Sequence, residues 1–228
     1  MSSPPARPAI YHITHGRNLA GIIADRCLWS DAEMMARGGP QASIGISEIK
    51  RKRREEIAVA CHPGTMVGQF VPFYFCPRSV MLYLLYKGNH PGLTFADGQR
   101  NIIHLAADFH EAVDWASAHA RPWAFTDRNA GSGYFQSFRD PDQLGRLDWD
   151  HIPKHDFRER VVKEAKQAEF LIHRSFPWSL VRTIGVVNER IAERVREIVS
   201  DSDHRPDVQV RADWYYVPIN PQSGGGTI

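Results

Sequence analysis

The sequence contains few cysteines and no long apolar run. Its three cysteines, Cys27, Cys61 and Cys76, are far apart and form no C-x-x-C pair. An odd number of separated thiols argues against a disulfide framework or a zinc site and favours a reducing compartment. No apolar run approaches the roughly 18–20 residues that cross a membrane, and residues 1–8 lack the apolar core of a signal peptide. We therefore expect a cytoplasmic protein without membrane contact.

Several catalytic signatures are also missing. The chain has no GxxxxGK[ST] phosphate loop, no GxGxxG dinucleotide motif and no GxSxG nucleophile elbow, which excludes P-loop, Rossmann and α/β-hydrolase chemistry. Its histidines are scattered without an HExxH pair, so no catalytic metal is expected. The net charge of +2 does not by itself indicate a nucleic-acid partner; such a partner would need a local basic patch.

The composition predicts one folded unit. With 228 residues, 43% hydrophobic and 24% charged, the chain can bury one sizeable core. We expect residues 1–8, which are proline-rich, to be disordered, residues 9–219 to form a single domain, and residues 220–228 to form a flexible tail. Short strands with helices interspersed predict an α+β fold.

Hydrophobic periodicity predicts the individual elements. We expect strands at 9–13, 70–75, 101–106, 168–174, 181–187 and 208–217, and helices at 18–25, 80–86, 108–120 and 188–200, with a short helix from 30 or 31 to the Gly-Gly-Pro at 38–40. Pro72 should restrict its strand to a sheet edge or a bulge. Asp108 and Glu111 predict a capping box, and residues 121–155 are expected to be a functional loop region.

A carboxylate stands in the otherwise apolar strand predicted at 168–174. Burial of Glu169 costs several kcal/mol unless a partner compensates it. Because residues two apart on a strand face the same way, Gln167 and Glu169 should project into one cleft. A strand-end glutamate that reaches solvent or pairs with Lys163 or Lys166 fits these residues equally well.

The first strand carries polar groups next to a glycine turn. His12 and Thr14 share one face, and Gly16 lets the backbone approach a ligand closely. An imidazole there could hold an amide ligand by a hydrogen bond. The local sequence alone favours the alternative, a core histidine bonded to a backbone carbonyl.

Two further features suit nucleic acid. The run Lys50-Arg51-Lys52-Arg53-Arg54 is either a solvated helix face or a phosphate contact surface. Residues 74–81 and 123–131 combine aromatic side chains with arginine and asparagine, which suits base stacking and base-edge recognition. Asn129, in a glycine-rich loop, is harder to explain by packing than the nearby aromatics.

Taken in order, these blocks resemble the DarT family, the DNA ADP-ribosyltransferase toxins of bacterial toxin–antitoxin systems. The resemblance runs from about residue 9 to 217. It is carried by YHITH at 11–15, NL at 18–19, EIK and RR within 48–54, VPFYFCPRS and MLY within 71–83, FTDRN at 125–129, LDW at 147–149, KQAEFL at 166–171 and DWYY at 213–216.

The resemblance implies a fold and an activity. The fold would be the split β-sheet ADP-ribosyltransferase fold with peripheral helices. The activity would be transfer of ADP-ribose from NAD, used as a co-substrate without metal, to guanine or thymine in single-stranded DNA, with release of nicotinamide. The resemblance also implies a cognate antitoxin with ADP-ribosyl-DNA hydrolase activity and a monomeric state.

Residue roles follow from the same resemblance. The catalytic residues would be Glu169 and Arg53, the latter being the best match within 51–54. NAD would contact His12, Thr14, Asn18, Arg53, Tyr74 and Gln167. DNA would contact Lys50, Arg51, Arg54, Met81, Arg128 and Asn129. Since some members have histidine where Asn129 stands, the asparagine slightly favours guanine. Alternatives are an ADP-ribosyltransferase acting on protein or RNA, an NAD hydrolase, and a non-catalytic nucleic-acid-binding module.

Overall fold

A computed structural model describes residues 3–216, so the predicted tail at 220–228 lies outside the described residues. The expected α+β class is confirmed. The strands are β1 Ala9–His15, β2 Cys27–Trp29, β3 Phe70–Tyr74, β4 Ile102–Asp108, β5 Trp123–Thr126, β6 Ser137–Phe138, β7 Glu169–His173, β8 Ser175–Pro177, β9 Thr183–Val186 and β10 Asp207–Val210. The α-helices are α1 Leu19–Ala24, α2 Asp31–Ala36, α3 Ser47–Glu55, α4 Val80–Lys87, α5 Phe109–Ala118, α6 Arg160–Ala165 and α7 Glu189–Val199.

Eight strands form one sheet in the order β10-β9-β4-β1-β3-β7-β5-β6, and β2 pairs with β8 in a small second sheet. The β9–β10 pair is parallel, whereas the pairs that join β9, β4, β1, β3, β7, β5 and β6 in turn are antiparallel. Residues two apart on a strand share a face. Accordingly, Phe170 and Ile172 of β7 enter the main core, whereas Leu171 packs into a cluster on the opposite face.

Side-chain caps fix several helix starts. Ser30 accepts a hydrogen bond from the backbone N–H of Glu33 at the start of α2, and Ser79 does the same for Leu82 at α4. Asp108 caps α5 through the N–H of Glu111. A capping box would also need the Glu111 carboxylate to accept from the backbone N–H of Asp108. Instead, this carboxylate accepts from the side chains of Arg7 and Arg182.

The expectation that Pro72 lies at an edge or bulge is wrong. Strand β3 is interior, with β1 on one side and β7 on the other, and Pro72 faces Leu171 of β7 in regular register. The Pro72 carbonyl points toward β1, since it accepts from the His12 side chain. In an antiparallel strand the N–H and C=O of one residue share a side. Because β1 and β3 pair only at Tyr11 and Tyr74, the missing N–H removes no ladder bond.

Two other expectations need correction. The last strand does not extend over 208–217; β10 ends at Val210 and a 3-10 turn follows at Ala212–Trp214. The indole of Trp214 packs on Gly185 so closely that a Cβ on that glycine would lie 2.3 Å from the ring. The region 121–155 is not only loop, because it contributes β5 and β6 to the main sheet.

The domain boundaries stay predictions. Residues 3–8 contain neither helix nor strand. Arg7 nevertheless forms ion pairs with Asp108 and Glu111, and the carbonyl of Pro8 accepts from the N–H of Phe109. In the described part of the chain, no helix is long and apolar enough to cross a membrane.

The position of α3 depends on a glycine beneath it. A Cβ on Gly68 would lie 2.7 Å and 2.8 Å from the Cα and N atoms of Arg54. We expect Gly68→Ala to lower the free energy of unfolding by about 1–3 kcal/mol, because backbone and not a flexible side chain must move. Gly21→Ala, in α1 with no atom within 4 Å of its Cβ, should instead raise it by about 0.5–1 kcal/mol. Chemical denaturation of both variants measures the contrast; equal effects would contradict it.

Candidate active site

A cavity of about 580 Å³ opens beside the point where the main sheet separates. Strands β1 and β3 are neighbours but pair only at Tyr11 and Tyr74, so their ladder opens beyond this position. Side chains from both strands, from α3 and α4, and from the segment 39–46 form the walls. Nine of the predicted NAD- and DNA-binding residues line the cavity: His12, Thr14, Asn18, Lys50, Arg53, Tyr74, Met81, Asn129 and Gln167.

His12 lies in the gap between the two strands. Its Nδ1 is 2.8 Å from the carbonyl oxygen of Pro72, which can only accept, so Nδ1 carries the hydrogen. Burial, assisted by the positive charge of Lys50, lowers the pKa of His12 to about 4. The neutral ring therefore keeps Nε2 as an acceptor. The structure thus shows the hydrogen bond to a backbone carbonyl, and it also places His12 in the cavity lining. Contact of this ring with an amide ligand stays a prediction.

Asn18 fastens the segment 39–46 to β1. Its amide nitrogen donates to the carbonyl of Ala42 at 2.8 Å and to Oγ1 of Thr14 at 3.0 Å, and its Oδ1 accepts from the N–H of Ala42 at 2.9 Å. These bonds occupy both donors and one acceptor site of the side chain. Asn18 and Thr14 therefore shape the cavity wall, and their direct contact with NAD stays a prediction.

Arg53 and Glu169 form a buried two-armed ion pair at one end of the cavity. The two guanidinium Nη atoms lie 3.0 Å and 2.7 Å from the two carboxylate oxygens, and the side chains are only 14% and 2% exposed. The N–H of Ala130 adds a third donor to Oε1 at 3.1 Å. Such fork geometry is the strongest form of the arginine–carboxylate contact. It also keeps the carboxylate fixed in one orientation.

The structure excludes a lysine partner for Glu169. Lys166 is buried elsewhere, with its ammonium 3.0 Å from the carbonyl of Ile152 and 3.5 Å from Sγ of Cys76. The backbone carbonyl of Lys163 accepts from the Gln167 amide. The compensation that burial of Glu169 requires thus comes from Arg53.

Gln167 does not occupy the strand position expected for it. It lies in the turn between α6 and β7, and the strand begins at Glu169, so the alternation argument does not apply to this pair. Its Oε1 accepts from Nδ2 of Asn129 at 3.0 Å. Both side chains line the cavity, whereas Glu169 is reached through Arg53.

The basic run on α3 does not form a free cationic surface. Each of its five cations has a carboxylate partner within ion-pair distance: Lys50 with Asp31, Arg51 with Glu48, Glu55 and Glu56, Lys52 with Glu48, Arg53 with Glu169, and Arg54 with Asp31. The cations therefore point to different sides of α3: Lys50 and Arg54 toward Asp31, Arg53 toward Glu169, and Arg51 and Lys52 toward the glutamates of α3 and its C-terminal end. Only Lys50 and Arg53 line the cavity, and DNA contact by Lys50, Arg51 and Arg54 stays a prediction.

The remaining predicted residues occupy three different positions. Arg128 contacts the carboxylates of Asp127 and Glu164 at 3.1 Å. Tyr74 stands opposite Glu169 in the β3–β7 register, and burial, assisted by the charge of Glu169, raises the pKa of this phenol. Met81 lines the cavity from the first turn of α4.

Sequence reasoning missed three contributors to the site. Asp31 holds both Lys50 and Arg54, Gly68 permits the close approach of α3, and Ala130 supplies a backbone donor to Glu169. None of them carries a signature in sequence, because each acts through a contact between distant segments. In residues 3–216, no group of three or more His, Cys, Asp or Glu side chains is arranged to hold a metal ion.

Comparisons with known proteins agree with this geometry. A family model described as "ssDNA thymidine ADP-ribosyltransferase, DarT" matches residues 11–216. The DNA ADP-ribosyl transferase of Thermus sp. (strain 2.9) is 37% identical over 215 residues, which cover 93% of this chain and 98% of that protein. The corresponding protein of Mycobacterium tuberculosis (strain ATCC 25618 / H37Rv) is 27% identical over 214 residues, covering 91% and 88%.

Solved structures show the same fold. Thermus sp. 2.9 DarT in complex with NAD+ has a TM-score of 0.80 at 33% identity and covers 94% of this chain and 100% of that one. The same protein in complex with ADP-ribosylated ssDNA has a TM-score of 0.84 at 34% identity, with 94% and 99% covered. Because the family match spans residues 11–216 and the Thermus relative covers nearly all of the chain, this protein belongs to the DarT family of ssDNA thymidine ADP-ribosyltransferases.

Proposed function

We propose that this DarT-family enzyme transfers ADP-ribose from NAD to thymine in single-stranded DNA and releases nicotinamide. The observation that carries the proposal is the buried Arg53–Glu169 pair at the end of a cavity beside the opening of the sheet. A volume of about 580 Å³ lies in the range of cofactor pockets. The Thermus relative was solved with NAD+ and with ADP-ribosylated ssDNA, which supports the same co-substrate and acceptor here.

His12 would orient the nicotinamide. Its Nε2 is an unprotonated acceptor beside the cavity, while Nδ1 is fixed by Pro72. A carboxamide N–H₂ group can donate to that nitrogen, so the ring would be held at the opening between β1 and β3. Tyr74, whose raised pKa keeps the phenol neutral, lies on the same wall and offers an aromatic surface.

Glu169 would act on the ribose. A carboxylate has about four acceptor sites, and Arg53 and Ala130 occupy three of them, two on Oε1 and one on Oε2. The remaining site on Oε2 can accept from the 2″-hydroxyl of the nicotinamide ribose. As the bond from C1″ to nicotinamide breaks, positive charge develops on the sugar, and a fixed carboxylate stabilises it electrostatically.

Bond changes balance without a metal. A ring nitrogen of the base forms a bond to C1″ while nicotinamide leaves as a neutral molecule. The base gives up its N–H proton. Of Arg53 and Glu169, only the Glu169 carboxylate can accept a proton, so we assign this role to it. Arg53 stays charged throughout, so we assign it to holding Glu169 and to stabilising the charge that forms on the base.

Thymine is the better supported base. The family description names thymidine. The argument for guanine relied on Asn129, but its Nδ2 donates to Gln167 and its Oδ1 accepts from the N–H of Gly131 at 2.7 Å. A side chain whose amide nitrogen and oxygen are both engaged by other protein groups is poorly placed to recognise a base edge.

The biological role follows from the chemistry. A base-modified single strand obstructs copying, so we propose that the protein acts as a monomeric toxin in the bacterial cytoplasm, where NAD and DNA are both available. A cognate antitoxin with ADP-ribosyl-DNA hydrolase activity would reverse the modification. The family resemblance supports this pairing.

Oligonucleotides that lack one base test the substrate directly. Purified protein with NAD should add the mass of ADP-ribose to an oligonucleotide without guanine, and should leave one without thymine unmodified. The reverse pattern would assign guanine. NAD consumption without an adduct, or adducts on RNA or protein only, would contradict DNA transfer; intact NAD in every reaction would support a non-catalytic binding module.

Replacing the carboxylate by an amide tests Glu169. Glu169→Gln keeps an oxygen acceptor for Arg53 but loses the negative charge, so we expect transfer to fall by 10²-fold or more while NAD affinity changes by less than about threefold. Glutamine is preferable to alanine, because it keeps the side-chain volume and one oxygen acceptor beside the buried guanidinium. Thermal melting checks folding, and Glu159→Gln, at an exposed glutamate before α6, is the matched control. An unchanged rate of ADP-ribose transfer in Glu169→Gln would show that Glu169 is not a catalytic residue.

Paired lysine substitutions test the assignment within the basic run. Arg53→Lys cannot span both carboxylate oxygens, so transfer should fall by about 10²-fold. Arg51→Lys, on the outer side of α3 with a side chain 42% exposed, should stay within about twofold of the unmodified enzyme. Initial rates at saturating NAD measure both, and the opposite ranking would show that Arg53 is not the catalytic arginine.

A further inference from the structure

Arg78 differs from the cations of α3. Among residues 3–216, no carboxylate oxygen lies within 4.0 Å of its guanidinium, and its Nε has no hydrogen-bond partner although the atom is buried. A guanidinium without a carboxylate partner keeps its charge available to an anion, and charge-assisted hydrogen bonds to such an anion are strong.

The surroundings hold this guanidinium in place. It lies 4.6 Å above the ring of Tyr216, and the Tyr216 hydroxyl donates to the backbone carbonyls of Arg78 and Ser79. One Nη donates to Nδ1 of His155 at 2.7 Å. Since arginine only donates, this Nδ1 is unprotonated and the hydrogen of the neutral ring stands on Nε2. His155 is exposed, so the pair presents a second N–H.

Nearby charge is also positive. Lys87 lies 5.6 Å above the ring of Tyr86, and Lys154 is exposed next to His155. The charge of Asp213 interacts with His155, but this carboxylate forms an ion pair with Arg211, with 2.8 Å between Oδ2 and Nη2. Asp156, which follows His155 directly, is likewise paired with Arg158, so both of these carboxylates are already engaged by arginine side chains.

Arg78 stands directly before the helix whose first turn lines the cavity. Ser79 caps α4, and Val80 and Met81 form part of the cavity wall. The Cα atoms of Arg78 and Met81 can be at most about 11 Å apart. The first N–H groups of a helix carry partial positive charge, which attracts anions. A strand whose target base entered the cavity would thus pass its backbone close to Arg78.

We propose that Arg78, His155 and the start of α4 bind one phosphate of the DNA strand that flanks the target nucleotide. The guanidinium, which has no carboxylate partner among residues 3–216, supplies charge-assisted hydrogen bonds to phosphate oxygens, and Tyr216 keeps the fork oriented. The proposal rests on the proposed function, because the anion is part of the acceptor strand. It would give DNA a cationic contact in addition to the predicted contacts of Lys50, Arg51 and Arg54 on α3.

The experiment combines a variant with a chemically altered strand. Arg78→Gln should weaken oligonucleotide binding, measured as KM for the strand, by about tenfold and lower the slope of log affinity against log salt by about one. NAD affinity, measured by thermal shift, should not change. Arg158→Gln, an exposed arginine of the same segment that pairs with Asp156, is the control and should leave both quantities unchanged.

A scan with methylphosphonate, which removes the charge of one linkage at a time, locates the contact. The affinity of the unmodified enzyme for the strand should fall about tenfold when one particular flanking linkage is methylphosphonate. The affinity of Arg78→Gln should not fall further when the same linkage is altered. Arg78→Lys keeps the charge and should preserve the salt slope while still weakening binding. If Arg78→Gln fails to fold, Arg78→Lys and the scan on the unmodified enzyme still decide the matter, since absence of any sensitive linkage overturns the proposal.

Failure of this proposal and failure of the proposed function give different results. An enzyme that modifies no oligonucleotide contradicts the function itself. An active enzyme whose Arg78→Gln variant retains strand affinity and salt slope contradicts only the phosphate contact. Equal loss of NAD and strand affinity would assign Arg78 a structural role and also overturn the proposal.

Discussion

The ion pair between Arg53 and Glu169 is the constraint on which the site depends. It joins α3 to β7, two elements that are 116 residues apart in sequence, and the loop after β5 adds the N–H of Ala130. A carboxylate that is 2% exposed would be unfavourable without this compensation. The pair therefore requires α3 to lie within reach of the sheet, and the absence of a Cβ at Gly68 is what allows that approach.

The opening between β1 and β3 provides the second requirement, a space for a ligand in the middle of a sheet. A strand interior normally satisfies each backbone group from its neighbours. Here Pro72 has no N–H to satisfy, and its carbonyl is taken by His12, so the two strands can separate without leaving an orphaned donor at this position. Proline is normally restricted to the edge strands of a sheet. Pro72 fits in this interior strand because β3 has no continuous ladder with β1 at this position.

Sequence reasoning predicted the parts of the molecule that depend on local pattern. The strands around residues 9–15, 102–108 and 169–173, the capped helices and the α+β class follow from periodicity and caps. It could not predict which partner each charged side chain takes, because that depends on elements distant in sequence. Gln167 shows the limit on a smaller scale: the strand begins only at Glu169, so Gln167 lies in the preceding turn and not on the face it was expected to share with Glu169.

The same limit applies to charge, and it changes where a polyanion would bind. Five consecutive cations suggested a phosphate surface, yet each has a carboxylate within ion-pair distance, and Lys50 and Arg54 share the one carboxylate of Asp31. A single arginine without a carboxylate has no such competitor. Counterion release depends on the cations that meet phosphate and not on their number in the sequence. Arg78 has no carboxylate partner among residues 3–216 and is held on Tyr216 directly before the helix that lines the cavity, and for this reason the proposed phosphate contact is assigned to it.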